Sequence, residues 1–157
     1  MMQRKGAQCI VIWIVCTMLT IAGCTNRNNT TIETKVNAAW QQYDKARKAK
    51  DLKRTLTVID SMAQLEIIST AKADYLRGLA YDQGWQMRIA EHFYMKAYKG
   101  YVPKPSEDWN CYTDAGYRWA CLRIGRGDTE GALTVITELL TQAKDNKSFP
   151  KRAEAPG

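Results

Sequence analysis

The stretch from Ala71 to Ala97, AKADYLRGLAYDQGWQMRIAEHFYMKA, decides how this chain is read. Its apolar residues recur at the three- and four-residue steps that put side chains on one face of an α-helix. Ala71, Tyr75, Leu76 and Leu79 form one stripe; Met87, Ile89, Ala90, Phe93, Tyr94 and Ala97 form the next. Two helices therefore follow one another. No strand-like alternation of useful length appears in the chain.

The same period extends outward on both sides. Upstream, Val36, Ala39, Trp40, Tyr43 and Ala46 mark one helix. After Lys50-Asp51, the residues Leu52, Leu56, Ile59, Met62 and Ala63 mark another. Leu65-Glu66-Ile67-Ile68 comes nearest to a strand, and reads as an apolar loop packed between helices. Downstream, GYVPKP at 100–105 breaks the pattern, because proline interrupts helices and biases its predecessor to extended forms. Ser106 is expected to cap a fifth helix, with Glu107 and Asp108 in a first turn whose dipole favours anions. That helix carries Tyr112, Ala115, Gly116, Trp119 and Ala120. Gly125-Arg126-Gly127-Asp128 is a turn. A sixth helix carries Ala132, Leu133, Val135, Ile136, Leu139, Leu140 and Ala143, an apolar face about 160° wide. A closing helix should bury less than that. An exposed strip is therefore expected at Leu133, Val135 and Leu140, for a partner, a second copy or a continuation of the chain. The expected fold class is all-α, with three antiparallel hairpins over 33–144 and a polar tail at 145–157.

The N-terminus reads differently. Residues 1–8 carry Arg4 and Lys5 and no acid, and residues 9–23 are almost wholly apolar. This charged-then-apolar order is that of an export signal, and the apolar part falls short of the about 20 residues a membrane span needs. An uncleaved anchor is the competing reading, which that length disfavours. Ile21-Ala22-Gly23-Cys24 resembles the lipobox of bacterial lipoproteins. That resemblance implies cleavage before Cys24 and lipidation of its thiol, with several acyl chains (palmitate among them) anchoring the protein stably where one would be marginal. Thr25 rather than Asp follows the cysteine, which in that group favours the outer membrane over the inner. Residues 24–32 read as the lipidated cysteine and a flexible tether.

Charge and cysteines narrow the function. The net charge is +7, and with Arg4 and Lys5 in the leader the remainder carries +5. No dense basic run interleaved with aromatics is present, so nucleic acid is not the expected partner. Cys111 and Cys121 fall on one expected helix, about 15 Å apart, too far for a disulfide. The single histidine, His92, has no closely spaced Cys or His beside it, so neither a metal site nor a cofactor is expected. No nucleophile elbow, phosphate loop or histidine–carboxylate pair of useful spacing is present. An enzyme is not expected, and no residue is assigned a catalytic role.

Gly78, Tyr81, Ala90, Tyr94 and Ala97 have the spacing of the tetratricopeptide repeat, and the central hairpin resembles that family. Gly78 and Ala90 would let two helix backbones approach closely, while Tyr81 and Tyr94 fill the volume beside the crossing. Pro103 falls one position after the family's usual proline. The third hairpin aligns at Ala120 and Ala132 with Gly127-Asp128 in its turn. The first aligns at Tyr43 and Ala46, with Thr55 at a small position, although Tyr43 is large for close contact. The two outer turns lie 77 residues apart, two repeats of about 34 plus an insertion placed between Lys99 and Pro105. A generic helical bundle is the alternative.

The resemblance implies a short solenoid that binds a protein or peptide on the face lined by the first helix of each hairpin. Trp40, Arg47, Tyr75, Asp82 and Tyr117 would be the partner-binding residues, with Asn37, Asp44, Lys72, Leu79, Asp114 and Cys121 beside them. Trp40, Tyr75 and Tyr117 would line up as aromatic anchors, or are merely half-buried helix residues. The Asn and Lys positions that clamp a peptide carboxylate in some family members are not reproduced. The expected protein is thus a cell-envelope lipoprotein acting as a binding scaffold, with self-association as a further option. The alternative is the extracytoplasmic sensor portion of a two-component-type signalling protein, because leader, tether and repeats look like those of Bacteroidetes-type histidine kinases and regulators.

Overall fold

A computed structural model describes residues 31–101 and 108–145. The leader at 1–23, Cys24, the tether up to residue 30, Pro103, Pro105, Ser106, Glu107 and the tail from residue 146 lie outside the described residues. The described residues are all-helical, with no strand. Six helices follow in order: α1 (31–48), α2 (Leu52–Gln64), α3 (Thr70–Gln83), α4 (Met87–Gly100), α5 (Trp109–Gly125) and α6 (Thr129–Asp145). Each apolar stripe of the sequence falls within one of them. Thr31 and Ile32, assigned to the tether from sequence, are helical, as is Asp145. Asp108 stands at the N-cap position of α5 rather than within its first turn, and makes no side-chain capping bond.

The chain divides into two compact units, Met1–Gln42 and Tyr43–Gly157. In the first, residues 31–42 are helical and mostly exposed, with Val36, Ala39 and Trp40 half-buried.

Four helix ends share one device. Lys50, Glu66, Trp85 and Gly127 each follow a helix with φ of 54°, 54°, 58° and 86°, in the left-handed region. At each joint the next residue's N–H reaches back across the last turn: Asp51 to Ala46 O, Ile67 to Met62 O, Gln86 to Tyr81 O and Asp128 to Arg123 O. This is the Schellman arrangement, which satisfies the last carbonyls of a helix and reverses the chain. Asp51, Ser69 and Asp128 then cap the following helices by accepting from the N–H groups of Arg54, Lys72 and Gly131. The Leu65–Ile68 loop behaves as expected only in part: Ile68 is buried, but Leu65 is 71% exposed.

Helices α3 and α4 are antiparallel, as are α5 and α6. Asp74 of α3 meets Lys96 of α4, and Tyr81 stacks on Phe93 at 5.5 Å. On α5 and α6, Gly116 lies beside Leu139, and Arg123 beside Gly131. The centre of the packing is α4. A Cβ on Gly78 would stand 2.6 Å from Tyr94 Cδ1, and one on Gly116 would stand 2.8 Å from Tyr98 Cδ2. Two tyrosines one turn apart on α4 thus dock over glycines of the helices on either side. Gly78 makes room for an aromatic ring, not for a second backbone. Tyr98 also stacks on Tyr112 at 5.0 Å and lies 5.6 Å from Trp119. Tyr101, Trp109, Ala120, Ala132 and Val135 complete this aromatic core. Val135 is therefore not part of an exposed strip: at 2% exposure it points inward with Ala132. Leu133 and Leu140 are exposed as expected, at 64% and 59%.

Asp74 is a buried carboxylate, and its cost is offset by two cations. Arg77 Nη1 approaches it at 2.7 Å and Lys96 Nζ at 3.2 Å, while Arg77 also holds Asp60 of α2 at 2.7 Å. One chain of charges ties α2, α3 and α4 together.

Candidate binding face between α3 and α5

Helices α3 and α5 run parallel, and residues 36 to 39 positions apart touch along their shared face. At one end Lys72 Nζ meets Asp108 Oδ1 at 3.2 Å. In the middle Tyr75 Oη donates to Asp114 Oδ2 at 2.5 Å, and Arg118 Nε donates to the same oxygen at 2.7 Å. At the other end Arg118 Nη1 and Tyr94 Oη both donate to Asp82 Oδ2, at 3.3 and 3.0 Å. Helical spacing explains the row, because Lys72, Tyr75, Leu79 and Asp82 recur at three- and four-residue steps on α3, as do Cys111, Asp114, Arg118 and Cys121 on α5.

The half-buried setting shows in the proton affinities. Burial, and then the Asp114 carboxylate, push the Tyr75 phenol well above its ordinary value. Burial and the Asp82 charge do the same to Tyr94. Burial opposes the Arg118 charge, but the bond to Asp114 and the electrostatic pull of Tyr94, Asp114 and Tyr75 together outweigh it and raise the guanidinium further. Both tyrosines are therefore neutral donors and Arg118 a permanent cation. Held in this state, the two phenols donate hydrogen bonds and Arg118 carries a fixed positive charge near neutral pH.

The sequence-assigned residues divide. Tyr75 and Asp82 lie on this face together with Lys72 and Asp114, but their polar atoms already bond within the chain. Leu79 is half-buried beside them. Tyr117 and Cys121 stand exposed on α5, Tyr117 at 60%. Arg47, on α1, is paired with Asp44 at 3.8 Å, and its carbonyl accepts from Gln83. Trp40 and Asn37 belong to the first unit. Asp108, Arg118 and Tyr94 were missed from sequence, although Arg118 follows Asp114 at the i,i+4 spacing that favours an ion pair. Trp85, in the α3–α4 turn, was also missed; at 84% it is the most exposed large apolar residue among the described residues.

The cleft lined by Lys50, Leu52, Thr55, Ala80, Gln83 and Gly84 holds about 30 Å³, room for one water. No cluster of His, Cys, Asp and Glu suited to a metal occurs among the described residues. His92 is exposed and sits edge-on to Phe93. Cys111 and Cys121 are both free thiols on α5. No helix among the described residues is long and apolar enough to cross a membrane. Comparison of the chain with protein-family models, curated protein sequences and solved structures found no match.

Proposed function

We propose that this chain is a lipid-anchored scaffold of tetratricopeptide-like hairpins that binds a protein or peptide along the α3–α5 face. The observation that carries the reading is the parallel contact of α3 and α5 through residues 36–39 positions apart. Equivalent helices of successive hairpins touch in this way when hairpins stack as repeats. Gly78 under Tyr94 supports the same reading, since a small residue on the first helix receives an aromatic from the second. The face is braced by its internal bonds, so a partner meets a rigid surface and little side-chain entropy is lost on binding. Tyr117 is the exposed anchor at its edge, with the Arg118 guanidinium beside it; aromatic and arginine side chains commonly dominate such contacts. The anchor rests on the lipobox-like Ile21-Ala22-Gly23-Cys24.

Two measurements test the reading. A photo-reactive amino acid placed at Tyr117 of the full chain in its own membranes should form a discrete protein adduct, while one at exposed Thr57 on α2 should not. Equal labelling at both positions would exclude a face-specific scaffold. A fatty-acid probe should label the wild-type chain and not Cys24→Ser. Equal labelling of the two would remove the anchor.

A further inference from the structure

We infer that the outer face of α6 is a self-association surface that pairs with α6 of a second copy, antiparallel about a two-fold axis at Thr137. No residue of the α3–α5 face lies on it.

Glu130, Leu133, Thr137, Leu140 and Lys144 are all exposed, and they recur along α6 with the 3-4-3-4 spacing of a single helical stripe. On a wheel they fill an arc of about 80°, on the side away from the buried Ala132 and Val135. The stripe reads the same in both directions apart from charge sign. Thr137 is at its centre, a leucine flanks it on each side, and opposite charges stand seven residues out. A two-fold axis is the one symmetry that makes such a patch complementary to itself. With the axis at Thr137, Glu130 of one copy faces Lys144 of the other, twice. Leu133 comes within one residue's rise, about 1.5 Å, of the level of Leu140 on the other copy. A parallel pairing would instead set Glu130 against Glu130 and Lys144 against Lys144. Neither residue is in an ion pair among the described residues.

A second feature makes this face cheap to dry. Thr134, Thr137 and Thr141 donate their hydroxyls to Glu130 O, Leu133 O and Thr141's own predecessor by one turn, Thr137 O. The threonine donors are therefore satisfied inside the helix, and burying them leaves none unpaired. One helix pair covers less area than a standard stable interface, so the association is weak in dilute solution. Confinement of copies to one membrane would favour it.

Cross-linking of the full chain in its membranes tests the geometry. In a Cys121→Ala background, Thr137→Cys should give a covalent dimer with a short bismaleimide, while the background alone should not. Glu130→Cys co-expressed with Lys144→Cys should give the mixed dimer in preference to either homodimer. Glu130→Lys should lower the Thr137→Cys yield about fivefold, and adding Lys144→Glu should restore it. All substituted positions are exposed, so folding is not at risk. Absence of the Thr137→Cys dimer would overturn the proposal, including the case where the chain's own tail covers α6. Preferential Glu130–Glu130 and Lys144–Lys144 homodimers would overturn the antiparallel arrangement.

Discussion

The ring of Tyr94 occupies the space that a side chain on Gly78 would need: Cδ1 lies 2.6 Å, and Cε1 2.7 Å, from where a Cβ would be built. Tyr94 is fully buried and its hydroxyl is held by Asp82, so the ring cannot swing aside without breaking that bond. Gly78→Ala should therefore destabilise the fold by about 1–3 kcal/mol through overpacking, despite alanine's better helix propensity. Gly125→Ala, with nothing within 4 Å of its Cβ, should be neutral or slightly stabilising. Urea midpoints of the two variants check the contrast, and equal midpoints would contradict the packing described.

Trp85 adopts φ of 58° while its ring is 84% exposed. The left-handed conformation strains a residue with a Cβ, and exposure means that little packing compensates. Trp85→Gly should raise stability by about 0.5–1 kcal/mol. Glycine at exposed Lys45, inside α1, should lower it by about 1 kcal/mol. Thermal unfolding of the pair measures both signs, and a loss of stability in Trp85→Gly would mean that the indole packs against the chain.

Tyr75, Tyr94, Tyr98 and Tyr101 all have phenols raised above the ordinary 10.0 in the folded chain, in each case chiefly by burial. The folded state keeps protons that the unfolded state releases. Their contribution to stability is therefore complete below about pH 10 and is lost as pH rises beyond it. Phenolate absorbance should rise in a cooperative step that coincides with loss of helical signal. A gradual rise with helicity intact would show that these rings are open to solvent.

Cys111 and Cys121 sit ten residues apart on α5, about 15 Å along its axis. Without reductant, both should react with a maleimide after denaturation. In the native chain Cys121, which is exposed, should react first. Burial raises the Cys111 thiol and lowers its thiolate fraction, so it should lag. Intact mass at successive times reads the order, and a species lacking two protons and unalkylated would place the two sulfurs on different elements.

Much of the fold was legible in residues 33–144, because a helix writes its period into the chain: each apolar stripe became one helix, and Gly78 could be singled out as a tight position. Val135 shows the limit. Its place on the wide apolar face of α6 gave no sign of which edge would be buried, since that depends on where Trp119 and Ala120 of α5 arrive. The candidate face was half legible. Lys72, Tyr75, Asp82 and Asp114 follow from helical spacing, but nothing local says that Tyr75 bonds to Asp114 or that Asp108 answers Lys72.

What the sequence determined by itself, then, is whatever acts within a few residues: the helices, the turns between them at Lys50-Asp51 and Gly127-Asp128, and the separation of the two α5 cysteines along one axis. What only the tertiary structure decided is which side chains meet across 36–40 positions, as Tyr75 meets Asp114 and Tyr98 meets Glu138. Such pairs depend on the angle and register at which the helices pack. That register is set by rings such as Tyr94 and Tyr98 seating over Gly78 and Gly116, a fit of shapes that no periodicity in a single chain records.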